Sequence, residues 1–436
     1  MRISSLKLHS IAIADPPLRS SYGLHAPWAL RTIVELETDD GIRGISETYG
    51  GDRPREALEA ARPVVIGRDP FQLAGLYEQM CADPARGRYA GGDRSQTWLV
   101  PGENPLDQNN RTFAAVEIAC LDIIGKAVNQ PVCEVIGGRV RDRVPFSAYL
   151  FYKHRGGGGD GRYEDEYGEV LDPQAGVREC RQMVEQYGFR EIKLKGGVLD
   201  PDQEIETIRA LRAEFGPAYP LRIDPNCAWS VDTSVRVGES LREELSGEGY
   251  LEDPCPDLAG MSDLRRRLRA KAVETPLASN VAVTQFADIP RARDLDAVQV
   301  VLSDPHYWGG MRQVLHLSHL CGVLGMGLSM HSNSHLGVSL MAMTHVAAAC
   351  PNLTYACDTH YPWQTERDEV IAGGRVRFKD GAVEIPAKPG LGIELDYDQV
   401  ARGCERYEKI PYRKRDDEAE MRRHVNQNWK RVLPRW

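Results

Sequence analysis

The chain has 436 residues, of which 42% are hydrophobic and 27% are charged, and its formal net charge is −9. This length can bury a large core, and the composition is that of a soluble globular protein. The negative charge argues against a general nucleic-acid binder, and the most apolar stretch, residues 338–350, is too short to cross a bilayer. Because the N-terminus lacks a signal-peptide pattern, we expect a cytoplasmic protein.

The first region of the chain has the pattern of a small α+β unit. Its expected elements are three strands (residues 3–13, 30–37 and 42–47), a helical stretch (54–79), a long loop (83–110) and an apolar helix (112–128). An Asp-Asp-Gly turn signal at residues 39–41 separates the second strand from the third. Antiparallel pairing of these strands is therefore expected.

From about residue 136 to residue 390, strand and helix patterns alternate. The expected strands fall at residues 145–151, 189–195, 220–224, 249–252, 275–279, 297–303, 326–330 and 353–357. Eight parallel strands joined by helices fit a closed (β/α)8-type, TIM-like barrel. A doubly wound open sheet is the alternative, but no G-x-G-x-x-G turn is present. The charged tail after residue 391 is expected to pack on the first region.

Nearly every strand of this series ends in a polar side chain that is capable of chemistry. Taking one residue per end, the series is Lys193, Asp224, Glu252, Asn280, Asp304, His331 and Asp358, with steps of 24 to 31 residues. Singly, most of these residues would be turn or helix-cap residues. In register, they are expected to meet on one face, because all strands of a barrel end on the same side.

Two lysines end one strand. Side chains alternate along a strand, so Lys193 and Lys195 share one face and Leu194 takes the other. For an arbitrary pair, solvated lysines are the simpler interpretation. In a strand buried on both faces, burial and a neighbouring cation lower a lysine pKa and make a base, and we favour this interpretation.

Asp224, Glu252 and Asn280 end three consecutive strands. Three converging oxygen ligands suit Mg²⁺. Asp304 and His331 end the next two strands, and a carboxylate beside an imidazole orients the ring as a general acid or base. A metal between two bases predicts removal of the proton α to a carboxylate, which leads to racemisation, or to dehydration if one base protonates a departing β-hydroxyl.

These residues resemble the enolase superfamily, in its mandelate-racemase-like branch and there the glucarate dehydratase family. The matching motifs are Lys193-Leu194-Lys195-Gly196-Gly197, Asp224-Pro225-Asn226, Glu252-Asp253-Pro254, Asn280, Asp304-Pro305-His306 and His331-Ser332-Asn333. The resemblance covers nearly the whole chain. It implies a capping domain formed by residues 1–135 with the C-terminal segment 391–436, above a catalytic barrel formed by residues 136–390.

The resemblance also implies a reaction, the Mg²⁺-dependent dehydration of an acid sugar such as D-glucarate to a keto-deoxy product. Lys195 would be one base, and His331, oriented by Asp304, would be the other base and the acid. Lys193 and Asn226 would stabilise the enediolate. The implied substrate contacts are His25, Thr97, Tyr149, Ser332, Asn333, His360 and Arg415.

The sequence leaves several alternatives open. Asp257 is an alternative to Glu252 as the second metal ligand, and Ser20 stands where the family has an Asn. A Gly-rich insertion at residues 156–161 is expected near the mouth of the site. Another acid-sugar dehydratase, a racemase or an epimerase of the same superfamily is the nearest alternative function. A non-catalytic sugar-acid binding protein is disfavoured, because binding alone requires no opposed bases.

The expected partner is a small dicarboxylic acid sugar. No nucleic-acid partner and no membrane partner are expected. The sequence does not decide whether the chain forms a homo-oligomer.

Overall fold

The computed structural model describes residues 1–81, 105–157 and 163–436. Its strands are β1 (Ile3–Ala14), β2 (Arg19–Ser20), β3 (Gly23–Leu24), β4 (Trp28–Thr38), β5 (Arg43–Tyr49), β6 (Arg143–Pro145), β7 (Ala148–Phe151), β8 (Ile192–Lys195), β9 (Leu221–Asp224), β10 (Tyr250–Glu252), β11 (Leu277–Ser279), β12 (Val300–Ser303), β13 (Gly327–Met330) and β14 (Ala382–Glu384). Its helices are α1 (Asp52–Val65), α2 (Leu73–Cys81), α3 (Pro105–Ala127), α4 (Val132–Val135), α5 (Pro173–Tyr187), α6 (Pro201–Phe215), α7 (Val231–Ser240), α8 (Leu258–Arg269), α9 (Asp288–Asp294), α10 (Met311–Leu324), α11 (Gly337–Ala349), α12 (Tyr397–Lys409) and α13 (Asp417–His424).

The N-terminal region is built on a three-stranded antiparallel sheet in the order β1-β4-β5. The turn between β4 and β5 contains Gly41 at a φ of 80°, a conformation that favours glycine. The C-terminal helix α12 packs on β1, where Arg406 Nε donates a hydrogen bond of 3.0 Å to the carbonyl oxygen of Ala12. Helix α12 of the tail therefore packs on the first region, whereas Trp436 at the end of the tail accepts a hydrogen bond of 2.6 Å from Ser230 N of the second region.

The second region is a parallel sheet in the order β13-β12-β11-β10-β9-β8-β7, with helices between successive strands. These strands are buried almost throughout, which is the rule when helices cover a parallel sheet. Residues 354–358 link the two edges of the sheet. Asp358 N donates to Met330 O at 2.8 Å, next to β13, and Cys357 N donates to Pro145 O at 2.9 Å, before β7.

The predicted fold class, a barrel of the (β/α)8 type with an α+β capping unit, is confirmed. One strand prediction is wrong, because residues 353–357 form only an isolated bridge, between Phe146 and Cys357, rather than a regular eighth strand. A run of only five residues must hydrogen-bond there to β13 on one side and to the segment before β7 on the other. Sequence reasoning also missed the pairing of β14 with β6, which are far apart in the chain.

Two helix boundaries also differ from expectation. The helical stretch expected at 54–79 is two helices, α1 and α2, because Gly67, at a φ of 81°, and Pro70 interrupt it. Helix α3 starts at Pro105, inside the loop expected at 83–110, and residues 82–104 of that loop lie outside the described residues. Among the helices described, none has the length and apolarity needed to cross a bilayer.

Candidate active site

A cluster of buried charges lies at the carboxyl ends of β8, β9 and β10. Lys193 Nζ lies 2.6 Å from Asp358 Oδ2, 2.6 Å from Glu252 Oε2 and 3.6 Å from Asp224 Oδ2. Lys195 Nζ donates a hydrogen bond of 2.6 Å to Asp224 Oδ2. Both lysines therefore point to the same face of β8, and Lys195 pairs with Asp224 in the strand register.

The charge environment of Lys193 differs from the expectation. Burial by itself would lower the pKa of Lys193, but the carboxylates of Asp358 and Glu252 outweigh it and raise this pKa well above its ordinary value. The prediction of a lowered pKa is thus wrong for Lys193, which keeps its positive charge. The sequence placed Asp358 at a strand end but gave no sign that it pairs with a lysine from β8.

The predicted metal ligands include two buried oxygens that lack hydrogen-bond partners. These two oxygens are Oε1 of Glu252 and Oδ1 of Asn280. Among the described residues, Oδ1 of Asp224 accepts only the backbone N–H of Asn226, at 3.0 Å. Unsatisfied buried oxygens are costly, and a hard cation such as Mg²⁺ prefers such ligands, so the residues present fit a divalent cation.

The predicted metal ligands Asp224, Glu252 and Asn280 supply two carboxylates and one amide. No group of three or more His, Cys, Asp and Glu side chains suited to a metal occurs in the described part of the chain. The alternative ligand Asp257 is exposed and caps α8, since its Oδ1 accepts the N–H of Gly260 at 2.7 Å. Because Asp257 lies beyond the end of β10 and its carboxylate caps α8, Glu252 at the strand end is favoured as the second metal ligand.

On the other side of the barrel, one carboxylate holds two imidazoles. Asp304 Oδ2 lies 3.0 Å from His331 Nδ1, and Asp304 Oδ1 lies 2.7 Å from His306 Nδ1. Burial alone would raise the pKa of Asp304, but His306 and His331 outweigh it and hold this pKa far below its usual range. Sequence reasoning missed the contact of His306, although the Asp304-Pro305-His306 motif contains both residues.

A cavity of about 900 Å³ lies above these strand ends, between the barrel and the capping region. The predicted site residues that line it are Lys195, Asn226, His331, His25, Tyr149, Ser332, Asn333, His360 and Arg415. Five other predicted residues are buried outside this lining, namely Lys193, Asp224, Glu252, Asn280 and Asp304. Thr97 lies outside the described residues, as do residues 158–161 of the Gly-rich insertion.

The cavity wall brings polar residues of both regions together. His25 Nδ1 lies 3.0 Å from Asp15 Oδ2 in the capping region, and Ser332 Oγ lies 2.8 Å from His360 Nδ1 in the barrel. Burial, with a further contribution from His25, lowers the pKa of His360 well below its ordinary value. The imidazole of His360 and the hydroxyl of Ser332 are neutral hydrogen-bonding groups that can recognise sugar hydroxyls.

Three comparisons place this chain among known proteins. Residues 175–400 match the family described as enolase C-terminal domain-like, and residues 17–137 match the mandelate racemase / muconate lactonizing enzyme N-terminal domain. The chain belongs to the enolase superfamily, in its mandelate-racemase-like branch. The resemblance inferred from the strand-end motifs is thereby confirmed.

Individual relatives cover the whole chain. A Streptomyces coelicolor protein named "probable glucarate dehydratase" is 42% identical over 100% of this chain and 99% of its own length. The solved structure of an enolase from Pseudomonas fluorescens with bound magnesium, potassium and tartrate is 43% identical, with a TM-score of 0.91, over 100% of this chain and 99% of that chain. An enolase from Thermobispora bispora, complexed with magnesium and formate, is 46% identical, with a TM-score of 0.90, over the full length of both chains. The prediction that the chain is an enzyme of the hydro-lyase type is confirmed.

Proposed function

We propose that this enzyme is a Mg²⁺-dependent dehydratase of a dicarboxylic acid sugar such as D-glucarate. The observation that carries the proposal is that a lysine and a histidine, which would act as the two bases, line one cavity. Lys195 and His331 both line it, and their strand ends are separated by β9 to β12 in the sheet. The 42% identical relative named "probable glucarate dehydratase" supports the same substrate class.

Asp224, Glu252 and Asn280 would hold the metal ion. When bound, Mg²⁺ supplies positive charge beside the carboxylate of the substrate, which makes the α-hydrogen more acidic. Lys193, which lies 2.6 Å from Asp358 Oδ2, would add a second positive charge beside the enediolate. The side chain of Asn226 lines the cavity beside Lys195 and would donate a hydrogen bond to the same end of the substrate.

The proton transfers fall to the two bases. Lys195, in its neutral form, takes the α-hydrogen, and the electrons of the broken C–H bond form the enediolate. Protonated His331, held by Asp304, gives its proton to the β-hydroxyl, which leaves as water while the enediolate electrons form the new double bond. The resulting enol tautomerises to the keto-deoxy acid.

A racemase or epimerase is the second candidate function. The same observation favours it, because bases on both sides of one carbon can remove a proton from one face and return it to the other. The two functions differ in whether the β-hydroxyl leaves.

A substrate panel tests the proposal. The Mg²⁺-loaded enzyme is incubated with six-carbon aldarates and the matching aldonates, and the 2-keto acid is measured as its semicarbazone. We expect turnover of at least one six-carbon diacid. If no diacid is dehydrated, the proposed function is wrong, whereas exchange of the α-hydrogen in D₂O without dehydration would favour the racemase.

His331→Asn tests the assignment of the acid. We expect dehydration to fall by about 10²- to 10⁴-fold, because the departing hydroxyl loses its proton donor. Exchange of the α-hydrogen from the lysine side should persist. His319→Asn, which changes an exposed histidine on α10, is the control and should leave both rates unchanged. Normal dehydration by His331→Asn would show that another residue is the acid.

A further inference from the structure

A network of hydrogen bonds extends from the ring of His331 into the wall of the barrel. One oxygen of Asp304 lies 3.0 Å from His331 Nδ1, and the other lies 2.7 Å from His306 Nδ1. His306 Nε2 lies 2.7 Å from Ser339 Oγ of α11, and Ser339 N donates to Glu47 Oε2 of β5 at 3.0 Å. His306 and Ser339 are buried outside the cavity lining. They can therefore act on a ligand only through the residues that they hold.

The charge of Asp304 fixes the direction of these hydrogen bonds. Despite burial, which would raise it, the pKa of Asp304 is held far below its usual range by His306 and His331, so the carboxylate is ionised and only accepts. Nδ1 of His306 must then carry a hydrogen. The hydroxyl of Ser339 can donate to Nε2, which satisfies both nitrogens of a neutral His306 ring.

A neutral partner on Asp304 suits an acid that must both hold a proton and release it. A positively charged His306 would repel the proton of His331, since like charges disfavour each other. Without any partner at His306, the full charge of Asp304 would act on His331 and hold that proton more tightly. A neutral N–H donor lies between these extremes, because it withdraws only part of the negative charge from the carboxylate.

Two tyrosines face the network, and both are neutral near pH 7. The ring of Tyr49 lies 6.4 Å from that of His306, and burial, with a contribution from Asp304, raises the pKa of Tyr49 to about 12. The ring of Tyr307 lies 5.7 Å from that of His331. Burial and Asp304 raise the pKa of Tyr307 well above its ordinary value. Neither phenol therefore competes with the two imidazoles for a proton.

The other titratable rings near the network are also uncharged. Burial lowers the pKa of His335 to about 4 and lowers that of His360 well below its ordinary value. Two permanent cations lie against Tyr49, with the guanidinium carbons of Arg31 and Arg111 at 5.2 and 4.1 Å from the centroid of its ring. The charge of Asp304 is therefore shared chiefly between its own two imidazoles.

We propose that His306 and Ser339 are positioning residues for the general acid His331. By sharing the carboxylate of Asp304, a neutral His306 keeps the proton of His331 from being held too tightly to be given up. Ser339 strengthens this effect, because a ring that accepts a hydrogen bond at Nε2 is a stronger donor at Nδ1. This inference rests on the proposed function, which makes His331 the acid.

NMR of the Mg²⁺-loaded enzyme with ¹⁵N-labelled histidine tests the proposal without turnover. The ring signals of His306 and His331 are assigned from their loss in His306→Leu and His331→Asn. In the wild type we expect a neutral His306 with its hydrogen on Nδ1 near pH 7. In His306→Leu the midpoint of the His331 titration should move upward by about 0.5 to 1 pH unit. Ser339→Ala should move it in the same direction by a smaller amount.

Two further variants separate the hydrogen bond from folding. The side-chain amide of His306→Asn can donate to Asp304 but cannot take a second proton, so the midpoint for His331 should stay within about 0.3 pH units of the wild type. His319→Leu replaces an exposed histidine of α10 and is the matched control, with no change expected.

Steady-state kinetics adds a second measurement. On the best substrate of the panel, His306→Leu should lower kcat by about 10-fold, because a proton that is held more tightly is transferred more slowly. KM should change by less than about 3-fold, since His306 lies outside the cavity lining. His306→Asn should recover most of the lost kcat.

Three results would overturn the proposal. These are an unchanged midpoint for His331 in His306→Leu, a wild-type His306 ring with hydrogens on both nitrogens near pH 7, and a midpoint in His306→Asn that moves as far as in His306→Leu. If circular dichroism shows that His306→Leu does not fold, an unchanged midpoint in Ser339→Ala is decisive instead. The proposed function fails separately. If the midpoints move as expected but no acid sugar is dehydrated, the roles of His306 and Ser339 in holding the ring stand and the assigned reaction does not.

Discussion

Buried charges are held in two different ways in this protein. In the strand-end cluster of Lys193, Lys195, Asp224, Glu252 and Asp358, each charge faces an opposite charge on another side chain. In the seam between the capping region and the barrel, a buried carboxylate accepts backbone N–H groups in addition to its charged side-chain partner. The first arrangement can exchange one partner for a metal ion or a substrate, whereas the second is fixed by the backbone.

The best example in the seam is Glu47 of β5. Its carboxylate accepts the backbone N–H groups of Leu336 and Ser339, at the start of α11, at 3.0 Å each, and it also accepts Arg31 Nε. Burial alone would raise the pKa of Glu47, but Arg31 and His335 outweigh it and lower this pKa. This carboxylate ties the capping sheet to a barrel helix, which keeps the roof of the cavity in place.

The largest expected effect lies in the strand-end cluster. Lys195→Met should reduce turnover by about 10²- to 10⁴-fold, because one of the two proton-transfer groups is removed. Steady-state kinetics on the best substrate of the panel measures this loss. Lys271→Met, at a surface ion pair with Glu239, is the control and should retain full activity. Retained turnover in Lys195→Met would assign the lysine-side base elsewhere.

The next largest effect is expected in the seam. Glu47→Gln should lower the free energy of unfolding by about 3 kcal/mol, because it leaves the buried guanidinium of Arg31 without its counter-charge. Urea unfolding measures this loss. Glu59→Gln breaks an exposed pair with Arg62 and should cost less than about 1 kcal/mol. Similar losses in the two variants would contradict the distinction between seam and surface.

The smallest predicted effect concerns a neutral group in the seam. His345 of α11 accepts the N–H of Cys133 at 3.3 Å and lies 3.2 Å from Leu391 O, and burial lowers its pKa to about 4. Because this folded-state pKa lies below the unfolded value of about 6.5, the unfolded chain binds the proton first as the pH falls. The contribution of neutral His345 to the free energy of unfolding is fully present above about pH 6.5 and is lost towards about pH 4.

This pH dependence can be measured by urea unfolding at two pH values. Between about pH 7 and pH 5, His345 should account for about 2 kcal/mol of lost stability in the wild type. His345→Asn should lose correspondingly less over the same interval. His319→Asn, at an exposed site, should follow the wild type. An unchanged pH dependence in His345→Asn would show that this ring is not held neutral.

Much of the candidate site could be predicted because of one geometric rule. Parallel strands with helical crossovers all end on the same face, so the spacing of Lys195, Asp224, Glu252 and His331 along the chain was enough to group them. The contacts between individual side chains were harder to predict from the sequence. The pairing of Asp358 with Lys193 and the sharing of Asp304 between His306 and His331 depend on side-chain directions that no local pattern records.

The sequence by itself determined the strand-helix alternation, the family and the chemical type of each strand end, because these depend on local periodicity and on residue identity. Tertiary structure alone decided where charge is compensated. Lys193 keeps its proton because Asp358 arrives from a segment 165 residues away. Long-range packing sets the electrostatic potential of the cavity, and the local sequence does not contain that information.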